Sequence, residues 1–253
     1  MGAYTISREQ GGILLFTITK PERRNAVDYE VMDGLEQAIE MAEEDAVKVL
    51  AITGMGDQAF CSGGDLSVFH SLKTEEQAYA MLSRMAGILY RLLILPKPTI
   101  AVMNGTAVGG GCEIASACDF RIARKGTKAG FVQGNLAITT GWGGGSILLE
   151  KLPQHTAFKL LIGARIYTAE ELKETGFIQA TFEDNPLKAC FDFLKDTLDK
   201  EVSVLKAYKS LIREKWILDD MKERMEKEAA NCAILWENDA HHKKVEEFAR
   251  RKK

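Results

Sequence analysis

Apolar and polar residues alternate twice near the start of the chain, in "YTISR" and "ILLFTIT" within residues 4–20, around Gln10, Gly11 and Gly12. A two-residue period bounded by glycine predicts a β-hairpin. The period then lengthens. Val31, Leu35, Ile39 and Ala42 recur on one helical face behind Asp28, a side chain that caps helix starts. "VKVLAITG" follows as a continuous apolar run ending at Gly54, the pattern of a buried strand. A second long helix is predicted over 75–95, with Met81, Met85, Ile88, Leu92 and Leu95 on its stripe, and Pro96 and Pro98 stop it before the strand "TIAVMNG". Those methionines fill the core. Apolar strand, glycine-bearing turn, helix and next strand thus repeat as a unit, which predicts parallel strands with crossover helices and directs the search for chemistry to the turns where strands end, after "LAIT" and "TIAVMN". From Pro186 the pattern is almost wholly helical and dense in charge, ending "EEFARRKK". Both a docking arm for another subunit and a solvated bundle end fit that tail.

Composition narrows the class. At 253 residues the chain can bury a substantial core, and 46% hydrophobic with 27% charged residues is the balance of a folded globular protein. A net charge of -3 gives no general affinity for nucleic acid. Cys61, Cys112, Cys118, Cys190 and Cys232 are odd in number and lack CxxC spacing, so buried free thiols are expected. "MGAYTISREQGG" lacks the apolar stretch of a secretion signal and no run reaches a membrane span, so a cytoplasmic setting without membrane partners is expected. Ile6 stands where a myristoylation signal needs Ser or Thr.

The candidate chemistry lies in two glycine clusters, "NGTAVGGGCEIASACD" and "FCSGGDL". Glycines ahead of a helix let main-chain N–H groups approach a ligand, and the helix start adds partial positive charge there. The first cluster lacks both GxGxxG and GK[ST], the spacings that bind dinucleotides and nucleoside phosphates. Two N–H groups converging on one oxygen would instead form an oxyanion hole, where each donor contributes about 3 kcal/mol of barrier lowering. Tight packing of helix on strand is the competing explanation for the glycines. Ser62 and Ser146 sit in no GxSxG elbow, and no histidine is placed to pair with them. His70 is expected on a surface helix, while His155, His241 and His242 read as exposed; without convergent acids no metal site is expected.

"KPERRNAV", "AFCSGGDL", "KPTIAVMNGTAVGGGCEIASACDFRIA", "GWGGG" and "GARIYTAEELKETGFI" form an ordered set over nearly the whole chain. Together they resemble the crotonase, or enoyl-CoA hydratase/isomerase, superfamily. The resemblance implies an α/β fold, a crotonase-like repeated ββα superhelix with a C-terminal helical trimerisation region. It divides the chain into a core carrying the acyl-CoA site over 1–185 and an oligomerisation region over 186–253. It implies a homotrimer or dimer of trimers, and no cofactor beyond the coenzyme A of the substrate.

The same match puts the oxyanion-hole donors at Gly64 and Gly110. It puts the adenosine-proximal loop at Arg24, Asn25 and Ala26, and coenzyme A contacts beside Ser62, Asp65 and Leu66. Arg23 and Arg24 carry charge suited to phosphates, and Phe248 and Lys252 are further candidates for contact with coenzyme A.

Hydratases of the family use two glutamates. Glu113 matches one, whereas the other position holds Asn135, which exchanges no proton near neutral pH. "FVQGNLAITTGWGG" is similar to ethylmalonyl-CoA decarboxylase-like members, and loss of CO2 leaves an enolate that a single acid can protonate. The expectation is therefore a lyase acting on a malonyl-type acyl-CoA. Glu113 is the acid or base, with a carboxyl pKa raised by burial, and Asn135, Thr139, Thr140 and Trp142 shape the acyl pocket. Hydration, double-bond isomerisation and a catalytically inert acyl-CoA-binding subunit remain alternatives, and for Glu113 so does a plain role as a first-turn helix acid.

Overall fold

The structure, a computed structural model, describes residues 2–183 and 185–250. β1 (Tyr4–Glu9) and β2 (Ile13–Ile18) form the expected antiparallel hairpin through a short turn over Gln10–Gly12. Asp28 caps α1 (Tyr29–Ala42) by accepting from Val31 N at 3.0 Å. The chain then repeats a strand, a second short strand and a helix. The repeats comprise β3 (Val49–Gly54), β4 (Ala59–Cys61), α2 (Leu66–Phe69) and α3 (Glu75–Leu93); β5 (Thr99–Met103), β6 (Thr106–Val108) and α4 (Gly110–Ala117); and β7 (Phe120–Arg124), β8 (Lys128–Gly130) and α5 (Gly144–Lys151). α6 (Gln154–Gly163), β9 (Tyr167–Thr168), α7 (Ala169–Glu174) and β10 (Ala180–Phe182) complete the strand-bearing part. Four helices follow: α8 (Pro186–Leu198), α9 (Val202–Leu218), α10 (Met221–Glu237) and α11 (Asp239–Arg250).

Each repeat divides its strands between two sheets. The larger has the order β1-β2-β3-β5-β7-β10 and the smaller β4-β6-β8-β9. From β2 onward the larger sheet is parallel, with Ile13 opposite Val49 and Ile100 opposite Phe120. Both of its faces are covered. Leu14, Phe16, Leu50, Ile52, Ala101 and Met103 point into the main core, while Ile13, Val49, Ala51, Ile100 and Val102 pack toward Cys190 and Leu194 of α8. Two-sided burial is why these strands read as unbroken apolar runs.

α10 packs along α3, and Met221, Met225, Ala229, Cys232, Ala233 and Trp236 join the main core. The glycine turns do not follow β3 and β5 directly, as the sequence pattern suggested. A short strand intervenes in each case, so the turns lie at the ends of β4 and β6, adjacent parallel strands of the smaller sheet. That pairing brings the two turns together.

Candidate functional site

The turn after β4 is anchored by an isolated parallel bridge between Val27 and Gly64. Val27 N donates to Gly63 O at 2.9 Å and Asp65 N donates to Val27 O at 2.8 Å. Since a parallel bridge engages the groups on either side of its central residue, the Gly64 N–H faces away from Val27. The turn after β6 runs through Gly109, whose φ of 57° lies in the left-handed region that favours glycine, into the first residue of α4. The Gly110 N–H is there one of the first-turn donors without an intrahelical acceptor.

A Cβ added to Gly63 would lie 3.1 Å from Gly110 N, so the two turns touch. The Trp142 indole covers both. A Cβ on Gly110 would fall 2.1 Å from its Cζ3, and one on Gly64 3.6 Å from its Cζ2. Glycine at 110 is a steric requirement of this contact as well as an opening of the main chain.

Glu113, in the first turn of α4, is buried, with 3% of its surface exposed. Its carboxyl reaches across to the start of α5. Oε2 accepts from Trp142 N at 2.9 Å and Gly144 N at 3.0 Å, and Oε1 accepts from Gln133 Nε2 at 2.9 Å. A Cβ on Gly144 would stand 2.4 Å from Glu113 Cγ, so the "GWGGG" run makes room for this side chain. Burial raises the Glu113 pKa from 4.5 to about 7, assisted by the charge of Glu228 on α10, and these outweigh the hydrogen bonds that favour the ionised form. The carboxyl is therefore poised to exchange a proton near neutrality.

The structure places the other expected residues in differing ways. Asn135 is exposed and donates through Nδ2 to Ala164 O at 2.6 Å, so Gln133, not Asn135, is the amide on Glu113. Thr139 is exposed and accepts from Cys232 Sγ through its carbonyl, whereas Thr140 and Trp142 are buried. Asn25 is buried with its amide fully engaged: Nδ2 donates to Met55 O and Ala59 O, and Oδ1 accepts from Lys20 N. It shapes the loop in which Ala26 is buried and Arg23 and Arg24 are exposed.

Ser62 N donates to Arg24 O at 3.1 Å and Ser62 Oγ to Arg23 O at 3.3 Å, joining this loop to the first glycine turn. Asp65 caps α2 through Ser67 N at 2.9 Å and pairs with Lys20, and Leu66 begins that helix. His70 and His155 are exposed, but the expectation of an exposed His241 is corrected. Its ring is buried against Trp236, with Nδ1 2.7 Å from Leu136 O, because α11 folds back onto the 133–136 turn. Phe248 lies in α11, and Lys252 falls outside the described residues.

All five cysteines are free and buried, and burial pushes the Cys61, Cys118, Cys190 and Cys232 thiols up to about 12. Among the described residues no group of three or more His, Cys, Asp or Glu side chains is placed to hold a metal ion, and no helix is long and apolar enough to cross a membrane. Sequence reasoning missed Gln133 and Glu228. The first lies two positions from the residue chosen, and the second had no local signal.

Two glycine turns in contact under Trp142 thus lie beside a buried carboxyl whose pKa is raised. Residues 8–253 match the family model described as Enoyl-CoA hydratase/isomerase. The ethylmalonyl-CoA decarboxylase of Homo sapiens is 31% identical over 216 residues, 83% of this chain and 70% of that protein. The short-chain-enoyl-CoA hydratase of Clostridium acetobutylicum is 32% identical over 184 residues, 72% of this chain and 70% of that enzyme. The chain spans 63% of the length of the mouse ethylmalonyl-CoA decarboxylase. The crystal structure of enoyl-CoA hydratase from Bacillus halodurans has the same fold, with a TM-score of 0.87 at 24% identity over 97% of this chain and 99% of that one. The chain belongs to the enoyl-CoA hydratase/isomerase family, the crotonases, whose enzymes bind acyl-CoA thioesters.

Proposed function

We propose that this protein is a lyase that decarboxylates a malonyl-type acyl-CoA, with Gly64 and Gly110 N–H groups holding the thioester oxygen and Glu113 supplying the proton. The observation that carries this reading is the buried carboxyl of Glu113 against the Trp142 that covers both glycines, bonded to the amide of Gln133, while Asn135, at the position the resemblance gives to the hydratases' second glutamate, is an amide turned to Ala164 O. In the reaction the bond from Cα to the substrate carboxylate breaks, CO2 leaves, and its electron pair forms the enolate of the thioester. The two N–H groups stabilise the oxygen as it becomes anionic. Glu113 transfers its proton to Cα and is reprotonated from water.

A protonated Glu113 suits this chemistry because an ionised one would repel both the substrate carboxylate and the enolate. Exposed Arg23 and Arg24 at the rim provide charge for the phosphates of coenzyme A, which enters as part of the substrate with no further cofactor. Assembly as a homotrimer through the C-terminal helices belongs to the same reading.

Turnover on a panel tests it. Malonyl-, methylmalonyl- and ethylmalonyl-CoA are assayed by CO2 release, and 2-enoyl- and 3-enoyl-CoA by thioester absorbance and product chromatography. CO2 release with the decarboxylated thioester as product is expected. Hydration or isomerisation alone would assign the site to those reactions, and binding without product would make the chain a non-catalytic module.

A further inference from the structure

α10 brings a second carboxylate to the same helix start that holds Glu113. Glu228 Oε1 accepts from Gly145 N at 3.0 Å and Oε2 from Ser146 N at 2.7 Å, the two peptide N–H groups that follow Gly144 in sequence. Four main-chain donors, from Trp142, Gly144, Gly145 and Ser146, therefore carry two acids between them. Gly145 is as tightly fitted as Gly144, since a Cβ there would lie 2.6 Å from Thr140 Oγ1 and 3.3 Å from both Glu228 oxygens. Met225 against Gly143 and Cys232 against Gly141 fix α10 along this segment.

The start of a helix carries about half a positive elementary charge, enough to offset part of one carboxylate but not two side by side. Proximity of two acids disfavours ionising both, and burial weighs on the more enclosed one. Glu113 is almost inaccessible whereas Glu228 is half-buried, so burial weighs more on the Glu113 carboxyl, and the neighbouring Glu228 adds to the rise of its pKa.

Among the described residues, basic side chains on the elements packed around the pair are engaged elsewhere. On α10, Arg224 is paired with Glu150 and Lys227 with Glu223. At the far end of α5, Glu150 also meets Lys215 of α9, and Lys151 donates to Ser116 O and Cys118 O at the other end of α4. On α3, Arg84 is paired with Asp33 and Glu36. The thiols of Cys112 and Cys232 also lie near the pair, and burial pushes the pKa of both up.

Gln133 completes the arrangement. Its Nε2 faces Glu113 Oε1 while its own Oε1 is buried without a hydrogen-bond partner, so a half-turn of the amide would offer an acceptor to a protonated Glu113.

We infer that Glu228 is a positioning residue whose charge, seated on the N–H groups next to those that hold Glu113, keeps Glu113 in the proton-donating form. This rests on the proposed role of Glu113, but its test does not need turnover. The carboxyl of Glu113 is titrated by 13C NMR in the substrate-free protein, assigned by its disappearance in Glu113→Gln, and compared in Glu228→Gln, whose amide oxygen still caps α5. The midpoint is expected to fall by about one pH unit in Glu228→Gln and to stay near the wild-type value in Glu228→Asp, which retains the charge. The pH limb of kcat governed by Glu113 should move with it, while KM changes less than kcat.

An unmoved midpoint in Glu228→Gln would overturn the inference. Should that variant not fold, a wild-type Glu113 midpoint in the ordinary carboxylate range would overturn it equally. Absence of turnover on every thioester, with the NMR shift intact, would instead count against the proposed reaction.

Discussion

Replacing Glu113 by Gln tests the electrostatics of the site through stability alone. In the folded protein the carboxyl is buried and carries a pKa of about 7, against an ordinary 4.5 once unfolded. A raised folded pKa means that the folded state binds the proton more tightly, so the stabilisation is complete below 4.5. Between 4.5 and about 7 the unfolded chain has released the proton while the folded one keeps it, and the free energy of unfolding falls by about 1.4 kcal/mol per pH unit. The loss ends above the folded pKa, after a total on the order of 3 kcal/mol.

Glutamine removes this term without emptying the site. Its oxygen can accept from Trp142 N and Gly144 N, and its NH2 can donate to the unpartnered Gln133 Oε1 after the amide turns over. Urea unfolding of both proteins from pH 4.5 to 8 is the assay. The wild type should lose on the order of 3 kcal/mol relative to the variant across that range, and curves that stay parallel would refute the placement of a proton on Glu113. In turnover assays the same variant should lose about 100-fold or more in kcat, the range of a positioned acid or base.

Other variants probe the supports of the site. Gly110→Ala would drive Trp142 off both glycine turns, since its Cβ would fall 2.1 Å from the ring, and kcat should fall far more than thermal stability. Gly87→Ala, in the exposed middle of α3 with nothing within 4 Å, should raise stability by about 0.5–1 kcal/mol, read as a higher Tm. Asn25→Ala deletes the hydrogen bonds to Met55 O, Ala59 O and Lys20 N, so a loss of about 2–4 kcal/mol in urea unfolding and a raised KM for thioesters are expected. Lys209→Met leaves the partly buried Asp119 without its ion-pair partner and should cost about 3 kcal/mol, most of it recovered in the double variant with Asp119→Asn.

What could be read from the chain in advance follows from the range of the interactions concerned. The hairpin, the Asp28 cap and the buried strands depend on neighbours a few residues away, and periodicity carries that information. The glycine turns were legible because glycine clusters ahead of a helix mark places where another group approaches the main chain closely. Their order after β4 and β6 was not, since strands of three residues leave no period to detect.

The resemblance puts Asn135 at the acyl pocket, and nothing local in the sequence shows that residues 133–136 coil into a tight turn that aims Gln133 at Glu113 and Asn135 at Ala164. Glu228 lies beside an apolar stripe on a charged helix, where it looks like any solvated acid. Only tertiary packing of α10 on α5 brings it to Gly145 and Ser146. His241 was misread for the same reason, because its burial comes from α11 folding back on a distant turn.

The most direct measurement is a crystal structure with a stable analogue of a malonyl-type thioester bound. The thioester oxygen is predicted to lie about 2.7–3.1 Å from both Gly64 N and Gly110 N, with the Glu113 carboxyl facing Cα. An oxygen out of reach of either nitrogen, or a Cα turned away from Glu113, would contradict the account.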